Sequence, residues 1–460
     1  MARRRRRPKL PTEPVRATIE DLSHDGRGVT HIDGKTVFVE GALKGEEVSF
    51  LYVEKKRSYD VGAVQTVHHA APERVEPKCA VFGVCGGCAL QHMEAGAQIL
   101  AKQEVLLENF ERIGKVCPGE VLPPLTGPHW GYRRKARLGV RNVPKKGRVL
   151  IGFREKRKPY IVDMQRCEVL HPSVGEHLHE LSELVGSLDA CDRIAQIEVA
   201  VDDRQTALVF RNLDPLSDND REKMSVFAQE HEICFFLQPG GPDSVEPLWP
   251  AQTQLSYALP EFDVRFNFTP TGFTQVNTDI NRKMVPYAID LLEVQPDERV
   301  LDLFCGIGNF TLPLARRAKQ VVGVEGLDIL VQRARENAAL NGIDNVEFHV
   351  ADLAKGVELL PWWSHRRVSS GHVDVSSIHG DKGFDKVLLD PARDGAMEAL
   401  PHIAKLGVKR IVYVSCNPAT LARDAGLLVH DHGYTLEKAG VMDMFPHTAH
   451  VESIALFTKD

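Results

Sequence analysis

With 460 residues, 43% of them hydrophobic and 26% charged, and a formal net charge of −6, the chain has the make-up of a folded protein of roughly two to four domains. No stretch approaches the roughly 18 uninterrupted apolar residues of a membrane span, and no apolar segment follows the arginine-rich start Met1 to Lys9. No membrane partner or secretory leader is expected, and the expected location is cytoplasmic. The nine cysteines are odd in number and unevenly spaced, which argues against a disulfide framework. Total charge announces no polyanion, but its distribution does. Arg3 to Arg7 form a solvated basic arm, with residues 1–13 expected to be disordered, and Tyr132 to Lys158 carry twelve Lys and Arg against the single acid Glu155. Two basic segments in an acidic chain make nucleic acid the leading partner.

In residues 14–72, β-type runs at Val15–Ile19, Thr36–Val39, Glu47–Val53 and Val61–Val67 alternate with turns rich in Gly and Asp, predicting a small barrel of the OB type. Leu22 to Val29, with Asp25-Gly-Arg-Gly-Val29, and Gly41 to Glu46 resemble a TRAM domain. Next, Cys79, Cys85 and Cys88 fall within ten residues, with glycines that let the backbone fold around a common centre. Such a group reads as metal or cluster ligation, and Cys167 is the best fourth thiolate. Zinc and an iron–sulfur cluster both remain open on spacing. A helix is predicted over Gln91–Ile113, within a segment 91–116 that docks on another domain. Residues 73–90 and 117–270 read as a central α+β domain for RNA, in which Tyr132, Phe153 and Tyr160 interleave with the basic run as base stackers or core.

From 271 to 460, strand-like runs at Arg299–Leu303, Val321–Val324, Val346–Val350, Lys386–Leu389 and Ile411–Val414 alternate with helical segments. Two further strands, around Thr435–Val441 and Ser453–Thr458, complete a Rossmann-like, doubly wound sheet of seven strands. The first strand enters Asp302-Leu-Phe-Cys-Gly-Ile-Gly-Asn-Phe310, the second ends in Glu325 and the third is followed by Asp352. Glycines that admit a ligand and acids at successive strand ends fit a nucleoside. The third glycine of a dinucleotide fingerprint is missing, so S-adenosyl-L-methionine fits better than a nicotinamide. Cys305 reads as a small packing residue. Cys416 lies where a buried strand ends and a helix begins with Pro418, where the helix dipole would favour a thiolate. The stretch Pro361 to Gly383 reads as a polar, disordered surface insertion.

With that loop, Leu389-Asp-Pro-Ala-Arg393, Ser415-Cys-Asn-Pro418 and His450-Val-Glu452, the chain resembles the RNA uracil-C5 methyltransferases. The barrel and cysteine group make it similar to the 23S rRNA branch with a TRAM domain and a [4Fe-4S] cluster. The resemblance implies that Cys416 is the nucleophile and Glu452 the base, and that Cys79, Cys85, Cys88 and Cys167 ligate the cluster. It also implies that Gln275, Phe304, Asn309, Glu325, Asp352 and Asp390 line the methyl-donor site. Chemistry asks for such a pair. C5 of uracil is too weak a nucleophile to attack a sulfonium until a thiolate adds at C6, and a base must then remove the C5 proton. Asp390 or Arg393 is placed to orient the ring, and a paired base must first leave its stack. The alternatives are uracil-C5 transfer to tRNA or another rRNA site, a cytosine-C5 enzyme, and a non-catalytic assembly factor. A monomer acting on 23S rRNA is the expectation.

Overall fold

A computed structural model describes residues 10–353 and 383–459. The arginine arm and all of the 361–383 insertion except its last residue lie outside the described residues.

Strands β1 (Val15–Thr18), β2 (Asp21–Leu22), β3 (Gly28–Ile32), β4 (Lys35–Glu40), β5 (Glu47–Lys55) and β6 (Tyr59–His69) form one sheet in the order β1-β5-β6-β4-β3-β2. Its two edge strands, β1 and β2, are consecutive in the chain, so one bent segment joins both edges and the sheet rolls on itself. Ile19, Val37, Val39, Val48 and Phe50 fill the interior. Sequence periodicity missed β2 and β3, because Gly28 reads as a turn residue. A Cβ there would lie 2.8 Å from Ile19 and 2.9 Å from Ala42, so in this strand glycine is what allows the roll to close.

Helix α1 (Ala95–Asn109) is shorter than predicted. Glu94 caps it by accepting from the Ala97 N–H at 3.0 Å, and it runs into a π-helical turn, Phe110–Gly114. After β7 (Glu120–Val121) comes the central sheet: β8 (Lys135–Val143), β9 (Arg148–Gly152), helices α2 (Pro172–Gly175) and α3 (Leu178–Gly186), β10 (Ile194–Val201), β11 (Thr206–Asn212), α4 (Asp218–Glu230), β12 (Ile233–Leu237) and β13 (Glu246–Trp249). The sheet order is β13-β12-β11-β10-β8-β9, and a hairpin, β14 (Leu255–Leu259) and β15 (Val264–Phe268), follows it.

The C-terminal part opens with α5 (Thr278–Leu292) and alternates β16 (Arg299–Leu303), α6 (Thr311–Ala315), β17 (Gln320–Glu325), α7 (Asp328–Leu340), β18 (Val346–Val350), β19 (Lys386–Leu389), α8 (Leu400–Lys405), β20 (Arg410–Ser415), α9 (Pro418–His430), β21 (Thr435–Met442) and β22 (Glu452–Thr458). These seven strands are the ones expected, in the order β18-β17-β16-β19-β20-β22-β21, with β7 added as an eighth beside β21. A two-residue strand has no period to read. Alternate residues serve opposite faces: Val300, Leu388 and Val412 belong to one core, Leu301, Leu389 and Tyr413 to the other. The order reverses between β16 and β19, the crevice where such sheets bind ligands. Among the described residues no helix is long and apolar enough to cross a membrane.

Helix α1 joins the two ends of the chain. A Cβ on Gly114 would come within 2.4 Å of the Ala422 carbonyl, so glycine lets the end of α1 press on the backbone of α9, the helix that follows Cys416.

Candidate active site

The loop after β16 turns sharply. Phe304 sits at φ +65°, unusual for a residue with a side chain, and Gly306 and Gly308 at +57° and +92°. Glu325 at the end of β17 braces this loop by accepting from the Gly306 N–H at 3.1 Å and the Leu327 N–H at 3.2 Å. Asn309 exchanges hydrogen bonds with Asn281 at 2.9 and 3.0 Å and accepts from the Tyr257 hydroxyl at 2.9 Å. Beneath the loop, Asp302 accepts from Thr311 at 2.6 Å, and burial lifts its carboxyl to about 8. Cys305 is buried under the loop against Gly323, a packing position.

Gly306, Asn309 and Glu325 wall a cavity of about 500 Å³ that also takes in Gln275, Phe304, Asp390, Cys416 and Glu452. Of the residues expected at the donor site, the cavity thus gathers Gln275, Phe304, Asn309, Glu325 and Asp390. Asp352 does not line it; this residue is exposed just after β18, next to the undescribed 354–382. Tyr257, Leu330 and Phe445 line the cavity too. Sequence reading missed them because in a short hairpin, a helix and a loop they look like core.

Cys416 lies between β20 and α9. The α9 cap is Asn417, which accepts from the Ala419 N–H at 3.1 Å, so Cys416 is one residue outside the cap. The expected thiolate-favouring effect is overturned. Burial first, then the Glu452 and Asp390 carboxyls, push the thiol up to about 11, with Arg393 pulling it down. Glu452, buried at the start of β22, is raised to about 8 by burial and by Asp390; burial raises Asp390 to about 7. Two carboxyls and a thiol thus line one cavity with their charged forms disfavoured, which suits a site awaiting positive charge.

The loop from Asp390 to Ala396 hangs from α9. The Arg393 carbonyl accepts from the Asn417 amide at 3.0 Å and the Thr420 hydroxyl at 3.1 Å, and the Asp424 carboxylate takes the Ala396 N–H and the Tyr413 hydroxyl, each at 2.7 Å. Across the mouth, Arg393 and His450 approach at 3.2 Å. On its other side Cys416 faces a second cavity of about 690 Å³, bounded by Ser23, His24 and Phe38 of the rolled sheet, Val105 and Arg112 at α1, and His450. Cys416, Arg393 and His450 line both cavities. The thiol therefore stands at the neck between them.

Residues 443–451, which lead into Glu452, are tied from three directions. Lys102 of α1 reaches the Asp443 carboxylate at 2.8 Å and the Phe445 carbonyl at 2.9 Å, and Gln98 donates to His447 Nδ1 at 3.1 Å and accepts from the His447 N–H at 2.9 Å. The Ala89 and Leu90 N–H groups, directly after Cys88, donate to the His447 carbonyl at 2.8 and 3.0 Å. From the central part, Tyr132 donates to the Pro446 carbonyl at 2.9 Å and Trp130 stacks on His447 at 3.8 Å. Tyr132 is thus a buried brace and not a base stacker, whereas Tyr160 is 63% exposed. Much of the basic run is also used internally, as in Arg148 and Lys146 on Asp163, Arg137 on Glu198 and Arg157 on Glu40.

Cys85, Cys88 and Cys167 are buried and Cys79 half-buried. Burial pushes Cys88 up to about 12 and Cys167 to about 11 and raises Cys85, and neighbouring Cys79 adds to the rise of all three. The Gly87 N–H donates to Cys85 Sγ at 3.3 Å.

Comparison with known proteins agrees with this geometry. The family model "tRNA (Uracil-5-)-methyltransferase" matches residues 254–460, and the TRAM domain model matches 9–49. A "23S rRNA (uracil(1939)-C(5))-methyltransferase RlmD" of Alkalilimnicola ehrlichii is 54% identical, covering 100% of this chain and 99% of the relative; one of Methylococcus capsulatus is 52% identical, with full coverage of both. The chain belongs to the RlmD family. A crystal structure of the Pyrococcus abyssi tRNA (uracil-54, C5)-methyltransferase with S-adenosyl-L-homocysteine superposes with a TM-score of 0.72 at 25% identity, covering 96% of this chain and 100% of that one. The RlmD relatives span the rolled sheet, the cysteine group and the β16–β22 sheet alike, so the likeness is not confined to the transfer domain.

Proposed function

We propose that the protein transfers the methyl group of S-adenosyl-L-methionine to C5 of one uracil in 23S rRNA, the position its RlmD relatives' name numbers 1939. The observation that carries this reading is Cys416 at the neck between two cavities, with Glu452 in the wall of the inner one. The donor occupies the inner cavity, where Glu325 meets the ribose diol and Phe304, Asn309 and Gln275 position the remainder. The base enters from the side of the rolled sheet.

Cys416 Sγ, as thiolate, adds to C6, and the ring's electrons pass to the C4 oxygen as an enolate. Arg393 stands at the neck to stabilise that charge. C5 then attacks the methyl carbon, and the methyl–sulfur bond breaks to leave S-adenosyl-L-homocysteine. The Glu452 carboxylate takes the C5 proton, the C5–C6 double bond reforms and the C6–Sγ bond breaks, returning the thiolate.

Cys79, Cys85, Cys88 and Cys167 are proposed to hold a [4Fe-4S] cluster. Four gathered thiols and a backbone N–H on Cys85 Sγ suit it. No three of the four sulfurs lie within 4.8 Å of one another, wider than the roughly 3.8 Å of a zinc tetrahedron with bonds of about 2.3 Å. When bound, the cluster acts as a cross-link. In the same reading residues 14–72 are a TRAM domain, 73–90 with 117–270 the RNA-binding domain, 91–116 a docking helix and 271–460 the transfer domain of a cytoplasmic monomer.

Anaerobically purified protein, incubated with methyl-labelled donor and unmodified 23S rRNA, should place the label as 5-methyluridine at one site, located by nuclease digestion and mass spectrometry. Label on tRNA alone would keep the chemistry and overturn the substrate. Label on neither would leave a binding factor.

A further inference from the structure

Far from the transfer loops in sequence, helices α3 and α4 of the central part bring three ligand-type side chains to one point. His177 immediately precedes α3, Glu180 lies in its first turn and His231 immediately follows α4. One donor atom from each lies within 4.8 Å of the other two. His177 Nδ1 and Glu180 Oε2 are 2.5 Å apart, and the two imidazole rings stand 5.3 Å apart at 71°. Phe227 stacks on His231 at 4.0 Å and 22°, which fixes that ring from behind.

Two of the three, Glu180 and His231, open on a cleft of about 560 Å³ between the helices. Glu180, Glu183, Glu222 and Glu230 line it, and its one basic residue, Lys223, turns its ammonium to the Ser187 carbonyl at 2.7 Å. A helix-end pair between His177 and Glu180 would account for those two residues alone. It does not account for a second imidazole brought from another helix, backed by an aromatic ring, at the mouth of an acidic cleft.

We infer that His177, Glu180 and His231 bind a divalent transition-metal ion, zinc before the others, at a site separate from the cysteine group. Two imidazoles and one carboxylate are a three-ligand set that zinc accepts, with a fourth position open to water. Bonds of about 2.0–2.2 Å would set the donors roughly 3.3 Å from one another; half-exposed side chains can draw the wider pairs in by up to about 1.5 Å and let the His177–Glu180 contact open from its 2.5 Å. The ion would cross-link the start of α3 to the end of α4.

The test is calorimetric titration of Zn²⁺ into the anaerobically purified, cluster-loaded full chain in chelator-free buffer. One saturable equivalent is expected. His231→Asn and Glu180→Gln should weaken it by about tenfold or more, while His179→Asn, at the neighbouring exposed pair with Glu183, should leave it unchanged. Zn²⁺ should raise the melting temperature of the parent and not of His231→Asn. No saturable binding, or equal binding by parent and His231→Asn, would overturn the site. Should a variant fail to fold, Co²⁺ added to the parent decides: visible bands of nitrogen and oxygen ligation support the site, and thiolate charge-transfer bands would place the ion on cysteine and refute it.

Discussion

Glu452 and Asp390 have carboxyls raised to about 8 and about 7, and beside them the Cys416 thiol is raised to about 11, so pH acts on this site twice. A carboxyl whose folded pKa is raised stabilises the fold fully below its unfolded value, near 4.5, and that contribution is lost as pH rises through the folded value. The melting temperature of the ligand-free protein should therefore fall relative to Glu452→Gln between about pH 4.5 and 8; parallel curves would mean that Glu452 is not the strained group. Catalysis runs the other way. The base and the thiolate form only as protons leave, so kcat/KM should rise with pH through about 8, and a cationic donor in the inner cavity should move that rise to lower pH. Glu452→Gln keeps the nucleophile but removes the base. It should lower kcat by about 10²–10⁴-fold and accumulate a denaturant-stable RNA adduct, scored by gel shift, whereas Cys416→Ala should form neither adduct nor product.

Helix α1 acts on the site through one buried cation. Lys102 is 3% exposed and its partner Asp443 2%, and burial holds the ammonium below its ordinary pKa. Lys102→Met would leave Asp443 buried without a countercharge, at a cost of about 3–5 kcal/mol. Urea unfolding should show that loss, and Lys102→Met with Asp443→Leu should recover much of it; a single variant as stable as the parent would remove this role. Nothing in the sequence announced the pairing, because Lys102 and Asp443 are 341 residues apart and each reads alone as a surface charge. What could be read was whatever a short window holds. The strands β16, β17, β19 and β20 are apolar runs buried on both faces, and the residues proposed for the donor sit at strand ends, so alternation and position exposed both. Two-residue β7 and glycine-containing β3 escaped because length and propensity point the other way, and only packing makes them strands. The pKa of Cys416 escaped for a related reason: Pro418 and the helix start are local, but what raises the thiol, burial first and then Glu452 from 36 residues on, comes from tertiary packing.

Across the whole molecule the cysteine group and the proposed base, Glu452, belong to one mechanical unit. Cys88 is followed directly by Ala89 and Leu90, whose N–H groups hold the His447 carbonyl, and Trp130 and Tyr132, in the stretch leading into β8, close on the same loop. Whatever fixes Cys88 therefore fixes residues 443–451 and, through them, the approach of Glu452. Cys88→Ser should free this loop without unfolding the β16 to β20 sheet, whose buried strands are held by their own ladder. Hydrogen exchange separates the two effects, since local opening is read segment by segment. Amides of 443–451 should exchange faster in Cys88→Ser while those of β16 and β20 keep their protection, and kcat should fall along with the loop's order. Uniform loss of protection would make the cysteine group a general staple of the fold. Unchanged exchange in 443–451 would show that Lys102, Gln98 and Tyr132 hold the loop unaided, and would separate the cluster from the chemistry.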